Sequence, residues 1–477
     1  MIGFMLDSAR LLESRSYYTR FIDFMAESGC DTLLWHFTDD QGCSLRFDSL
    51  PEAASRNAYS KQQLSELLAH ATARGIKVIP ELETLGHTRY ITRARADLAE
   101  LSENDEVFTS LCPVHPQSRE IVGSLIDEVC ELFESELVHA GLDEVNFGGH
   151  PMTQAALKTS TASQLFIDYI AFVHDRLAQH GKRMMMWGDH LLKDPAIAEA
   201  IPKDILVANW QYTARLPDET TPTLQGYGYE VVNCPAMISY DQPLAPGESF
   251  ALANLRDTAR HARAHKSSGI ITTIWTPQRF MPDSLWPAAA YAAALMVDGP
   301  DASMADAVQG FFEKRLGSEV SPGWVSSLRE LHRVIPMRKP WVAALRLELG
   351  DLPDDLNLYK AAQKARRIYQ DLLDHRPDTW RDDRCCRSVL LIAELHAHVW
   401  ERAEATQTSQ VNASLLAASE SLVERLSVRW DSDRFADDPR KWEPVFPFDR
   451  DDHLLIAFEH GTQKLREALA TMTRGST

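Results

Sequence analysis

The sequence predicts an α/β fold: a (β/α)8 TIM barrel over residues 1–305, followed by an α-helical C-terminal region over 306–477. Three observations predict it. Eight short apolar runs recur, each followed by polar or small residues and then a stretch of helical periodicity, the pattern of a (β/α)8 barrel. No glycine-rich phosphate loop follows the first run, which argues against a doubly wound open sheet. After about residue 300 the strand-like runs vanish and helical spacing takes over.

The eight runs are Gly3–Asp7, Thr32–Phe37, Lys77–Leu82, Leu137–Leu142, Arg183–Trp187, Ile205–Trp210, Glu230–Cys234 and Ile270–Trp275. Between them lie amphipathic stretches such as Ser60–Arg74, Pro116–Phe133 and Ala162–His180. In the C-terminal part, Asn357–His375, Arg387–Ala403, Ala413–Trp430 and Leu454–Met472 carry apolar residues at helical spacing, as Leu391, Ile392, Leu395 and Val399 illustrate. These helices are expected to pack on the barrel or on a second copy, so a homodimer through them is an expectation. The segment Asp431–Asp452 is rich in proline, aromatic residues and charge. It is long for a structureless connection, which points to a functional or interface role.

Composition narrows the function. The 477 residues are 44% hydrophobic and 25% charged, the make-up of an ordinary globular protein. A formal net charge of −19 argues against nucleic acid, whose phosphates demand a basic face, and against anionic membrane surfaces. No apolar run approaches the roughly 20 residues of a membrane helix. The seven cysteines (Cys30, Cys43, Cys112, Cys130, Cys234, Cys385, Cys386) are odd in number and form no CxxC pair. With no basic, apolar leader at the N-terminus, reduced thiols and a cytoplasmic location are expected.

In such a barrel the side chains at the C-terminal strand ends form the site. There the sequence places Asp7 and Arg10, then Trp35, His36, Asp39 and Asp40. Next come Glu81, Glu83 and His87, then His139, Asp143 and Glu144. The later strands supply Trp187, Asp189 and His190, then Trp210, Tyr240 with Asp241, and Trp275. Acids dominate, and tryptophan recurs at four of the eight ends. Indole faces stack on sugar rings, and carboxylates bind hydroxyls and move protons, so the set points to a carbohydrate. A single tryptophan at a strand end is as readily explained by core packing. The adjacent acids Asp143 and Glu144 are the sharpest feature: two carboxyls in different environments can divide the roles of anion and proton donor. A metal hydrolase built on His36, His87, His139 and His190 is the rival, but neither an HxH on the first strand nor an HExxH is present.

Several separated motifs, in order, resemble the family 20 glycoside hydrolases, the β-N-acetylhexosaminidases. They are Leu6-Asp7-Ser8-Ala9-Arg10, the run Trp35 to Gly42, the run Arg74 to Glu81 with Gly86-His87-Thr88, Leu111-Cys112-Pro113, and the run His139 to Glu144. The resemblance is strong over about residues 3–150, thinner to about 300, and does not reach the C-terminal helices. It implies release of a terminal β-linked N-acetylhexosamine by retaining, substrate-assisted hydrolysis, in which the substrate's own acetamido oxygen forms an oxazolinium intermediate. On that reading Glu144 is the general acid and then base, and Asp143 orients the acetamido nitrogen. His87 with Asp40 (or Asp39) forms a relay. Trp187, Trp210 and Trp275 wall the pocket, and Tyr240, Asp241, His36, Arg10 and Asp189 complete substrate binding. The resemblance implies no cofactor and no metal, and an N-acetylated amino-sugar glycoside as partner.

The chain also departs from the pattern. The resemblance leads one to expect an arginine just before the first-strand glycine, to hold the sugar's 3- and 4-hydroxyls, and Ile2 stands there. The usual glutamate beyond the last-strand tryptophan is Pro277, and the usual glycine before the catalytic aspartate is Leu142. Arg279, or Arg10 from another angle, is the expected compensation. The alternative is a catalytically silent sugar-binding barrel, which Ile2 and Pro277 favour and the intact Asp143, Glu144 and His87 disfavour.

Overall fold

The computed structural model describes residues 1–100, 110–146, 148–239, 244–434 and 451–474. The predicted site residues Tyr240 and Asp241, and most of the Asp431–Asp452 segment, lie outside the described residues. The chain divides into two compact units. One holds Met1–Ala236, Asn254–Trp275 and Leu295–Pro300; the other holds Met237–Ala253, Thr276–Ala294 and Asp301–Thr477.

In the first unit eight parallel strands close into a barrel. They are β1 (Ile2–Asp7), β2 (Thr32–His36), β3 (Lys77–Glu81), β4 (Leu137–His139), β5 (Arg183–Trp187), β6 (Leu206–Trp210), β7 (Glu230–Cys234) and β8 (Gly269–Ile274). The ring shuts where β1 pairs with β8, Ile2 opposite Ile270 through Leu6 opposite Ile274. All eight predicted strands are present. The clearest difference is β4, expected to reach Leu142 but ending at His139, because Gly141 and Leu142 turn into positive φ.

Strand periodicity sorts the side chains. Met5, Leu34, Ile79, Met185, Leu206, Val232 and Ile271 fill the barrel interior, and burying each aliphatic side chain contributes about 1.5–3 kcal/mol. Two residues further on, the same inward face carries Asp7, His36 and Glu81, and the register sets Asp7 beside His36, His36 beside Glu81, and Glu81 beside His139. A polar layer therefore caps the apolar core at the C-terminal mouth. Trp35, one residue out of phase, faces away from it: its ring packs 5.0 Å from Tyr18 and its indole N–H donates to Ser8 Oγ at 2.8 Å. For Trp35 the core-packing explanation is the correct one.

Helices follow where expected. Ser60 caps Lys61–Ala73 in a reciprocal box with Gln63, and Pro116–Leu132 and Ala162–Gln179 match their predicted spans closely. In the second unit the helices include Leu358–Asp374, Arg384–Gln407, Ala413–Asp433 and Leu454–Arg474. Their core contains the fully buried Arg402, over the Phe458 ring at 4.3 Å. Arg402 donates to Thr462 Oγ1 at 3.3 Å and to the carbonyl of Leu345, near the C-terminus of Arg338–Arg346, where a cation complements the helix dipole. Burial pulls its guanidinium down to about 9. All seven cysteines are free and buried. Among the described residues no helix is long and apolar enough to cross a membrane.

Candidate active site

The mouth of the barrel is organised around two histidines. His36, at the end of β2, lies between two carboxylates: Nε2 is 2.7 Å from Asp39 Oδ2 and Nδ1 is 3.0 Å from Glu81 Oε2. Burial works against its charge, but Glu81 and Asp39 outweigh this and hold the imidazole well above its ordinary value. Glu81 in turn accepts the Trp187 indole N–H at 2.8 Å. Arg10 joins the layer from the β1 end, bonding Asp7 at 2.9 Å and Asp39 at 2.8 Å, with its guanidinium 5.4 Å from the Trp275 ring.

His87 bridges two pairs of acids. Its Nδ1 is 3.4 Å from Asp39 Oδ1 and 3.3 Å from Asp40 Oδ2; its Nε2 is 3.7 Å from Asp143 Oδ2 and 3.3 Å from Glu144 Oε2. Burial disfavours its charge, yet Asp39 and Asp143 raise it well above the ordinary value. Both aspartates offered as its relay partner are thus within reach. Their environments differ: burial opposes ionisation of Asp39, but Arg10 and His87 take it well below the carboxylate range, whereas burial leaves Asp40 raised.

The acidic pair sits on a loop with unusual backbone. Gly141, Leu142 and Glu144 have φ of 65°, 72° and 48°. The left-handed region is costly for leucine and glutamate, so Leu142, where the family pattern has glycine, keeps a glycine-like conformation. Gly86 lets the neighbouring loop approach: a Cβ there would lie 2.3 Å from the Asp143 carbonyl oxygen. Gly141 is tighter still, since a Cβ would lie 1.9 Å from Glu83 Oε2. Gly141→Ala is therefore expected to lower stability by at least about 1–2 kcal/mol from backbone strain alone, and to displace the acids. Thermal unfolding checks this, and a variant melting with the wild type contradicts it.

The two acids differ in their surroundings. The Asp143 side chain is 16% exposed and that of Glu144 58%. Burial, opposed by His87 and reinforced by Asp189, Glu144 and Glu81, pushes Asp143 up to about 7. The hydrogen bond with His87 lowers Glu144 in spite of partial burial. Asp143 Oδ1 is buried without a hydrogen-bond partner, and so is the indole nitrogen of Trp210. Glu83 is held well above the carboxylate range by burial and by Asp143, and its Oε2 is also without a hydrogen-bond partner.

Three tryptophans were expected to wall this space. Trp210 and Trp275 are partly exposed, but Trp187 is buried, 4.5 Å from His139 and 6.2 Å from Trp275 between ring centroids. Trp187 supports the floor. Asp189 pairs with Lys193 at 2.9 Å, with its Oδ1 buried and lacking a hydrogen-bond partner. Ile2 needs correcting. It starts β1, five residues before Asp7, so at about 3.3 Å per residue it lies roughly 16 Å from the mouth. Nothing at the mouth is lost by its being apolar; Arg10 is the arginine placed there. Arg279 belongs to the second unit, where it pairs with Asp452 at 2.7 Å in full burial.

Residues 2–266 match the model of the glycosyl hydrolase family 20 catalytic domain, more than half of the chain. The chain belongs to glycosyl hydrolase family 20. Similar to this family 20 chain are a beta-hexosaminidase of Vibrio furnissii, 26% identical over 52% of this chain and 45% of that protein, and a probable beta-hexosaminidase of Arthroderma benhamiae, 28% identical over 48% and 41%. The chain therefore spans under half the length of these curated relatives. Among solved structures, the fold is shared with an exo beta-N-acetylglucosaminidase of Vibrio harveyi (TM-score 0.53, 22% identity, 69% of this chain and 58% of that one). It is also shared with a beta-N-acetylhexosaminidase of Bacteroides fragilis (TM-score 0.54, 21% identity, 66% and 69%).

Sequence reasoning missed Tyr212. It lies two residues past the end of β6, its ring 5.2 Å from Trp210, and its hydroxyl accepts the Trp275 indole N–H at 2.7 Å. The adjacent Trp210 was the available signal. Among the described residues, two groups have metal-type ligand atoms within 4.8 Å of one another: His36 with Glu81 and Glu83, and His87 with Asp39 and Asp40. In both, flanking carboxylates favour the imidazolium, so a metal would have to displace that proton to bind.

Proposed function

We propose that this chain is a retaining glycosidase that releases terminal β-linked N-acetylhexosamine by substrate-assisted catalysis. The observation that carries the reading is His87, whose ring joins the Asp39–Asp40 pair to the Asp143–Glu144 pair. Its relatives' name, beta-hexosaminidase, agrees. Glu144 protonates the leaving oxygen and then activates water. Asp143 orients the acetamido group, its unpartnered Oδ1 accepting the substrate N–H and facing the positive charge of the oxazolinium. Arg10 binds ring hydroxyls, Trp210 and Trp275 take the sugar and acetamido faces, and Tyr212 supports them.

The free protein carries its proton the other way round, with Asp143 raised to about 7 and Glu144 lowered. Substrate reverses the order. A bound sugar excludes water from the exposed Glu144, which favours its neutral form, while an amide N–H donated to Asp143 favours its anion. The productive state needs one proton on the pair. Above pH 7 or so both acids are ionised, and at low pH both are protonated.

The test is hydrolysis of aryl N-acetyl-β-glucosaminide and galactosaminide. The expected result is turnover of at least one, with a bell-shaped kcat/KM, which reports the free enzyme, and an alkaline limb near 7. Absence of turnover on these and on a panel of natural N-acetylated glycosides would refute the activity.

A further inference from the structure

The peptide that follows Glu144 is held by a side chain to which the reaction gives no role. The Val145 N–H donates to Nε2 of His190 at 3.0 Å. His190 stands on the short helix Asp189–Lys193 directly after β5. Its ring packs on Phe166 of the helix Ala162–Gln179, centroids 4.8 Å apart, and is 19% exposed. Imidazole accepts only through an unprotonated nitrogen, so Nε2 is bare and the ring proton is on Nδ1.

The segment so held is strained. Leu142 and Glu144 occupy the left-handed region, and such residues persist only where their surroundings over-determine them. Beyond Val145 the segment is tied by Asn146, whose side chain donates to the Glu144 carbonyl at 3.1 Å and whose N–H donates to Ser110 Oγ at 3.2 Å. The Glu144 carboxyl itself is largely exposed.

We propose that His190 is a positioning residue: by accepting the Val145 N–H it fixes the backbone of Glu144, so that the carboxyl meets the leaving oxygen. This rests on the reading of Glu144 as proton donor. The charged groups around His190 are Asp189 (Oδ2 3.8 Å from Nε2), Lys193 and Asp194 on its own helix and at its end, and Glu144 across the loop; the Phe166 face is apolar. Burial lowers the imidazole, Asp189, Glu144 and Asp194 oppose this, Lys193 assists, and the net shift is downward. Near neutral pH the acceptor is intact. Acid converts it to a donor facing another donor, and the clamp opens.

The experiment uses the full chain, with His190→Phe to keep the ring without an acceptor and His190→Gln to keep an acceptor near Nε2. Wild-type turnover of a methylumbelliferyl N-acetyl-β-hexosaminide separately tests the underlying reading. H190F is expected to lose more than about tenfold in kcat, with KM within about threefold, because misplacing a catalytic group acts on the chemical step. The loss shrinks for a dinitrophenyl leaving group, which needs no proton. H190Q recovers most of kcat. Without substrate, amide exchange across residues 142–146 is faster in H190F than in wild type or H190Q. Wild-type kcat in H190F, equal loss with both leaving groups, H190Q as poor as H190F, or unchanged exchange each overturns the proposal. Should H190F not fold, His190→Leu, which also lacks an acceptor, takes its place with the same outcomes.

Discussion

Glu144→Gln is expected to lower kcat on an aryl N-acetyl-β-hexosaminide with a poor leaving group by about 10²–10⁴-fold, the usual contribution of a general acid. The substitution keeps the size of the side chain and a hydrogen bond to His87, 3.3 Å away, and removes only the proton that is transferred. KM is expected to change little, since the lost interaction belongs to the transition state. The deficit narrows with a dinitrophenyl leaving group in the first step and persists in the second, where Glu144 activates water. Wild-type turnover of the poor leaving group by this variant would remove Glu144 from the mechanism.

Asp143→Asn is expected to cost about 10²–10³-fold in kcat, the range for losing one preorganised electrostatic contact to a developing charge. Asparagine can still accept the acetamido N–H, so the loss isolates the negative charge. Asp143 is also the group pushed up to about 7. The variant should therefore lose the alkaline limb of kcat/KM near that value. A limb that stays in place assigns it to another group, and unchanged kcat refutes the role of Asp143.

Much of this barrel was legible because a parallel strand buried on both faces leaves a short apolar run, and eight such runs recur with helical stretches between them. The mouth was legible where side chains sit at strand ends, as with His36 and Glu81, whereas Asp143 and Glu144 stand on the loop beyond β4. What was not legible depends on direction. Trp35 and His36 are neighbours in sequence and face opposite ways from the barrel wall. Ile2 stands at the far end of β1 from the mouth, whereas Arg10 follows the near end and pairs with Asp7 and Asp39 there. Motif position alone does not say which rim of the barrel a residue occupies. Leu142 looked like a lost glycine, yet its backbone keeps the glycine conformation. The protonation order of Asp143 and Glu144 was beyond reach, because it follows from the exposure of each carboxyl and its distance to His87. Tyr212 lies two residues past its strand, in a segment that no periodicity marks.

The most direct measurement is calorimetric titration of the wild-type protein with the thiazoline derived from N-acetylglucosamine, a stable mimic of the cyclised acetamido intermediate. Binding at least about 10²-fold tighter than N-acetylglucosamine is expected, as for a transition-state analogue, with that preference lost in Asp143→Asn. A thiazoline bound no more tightly than the free sugar would contradict participation of the acetamido group.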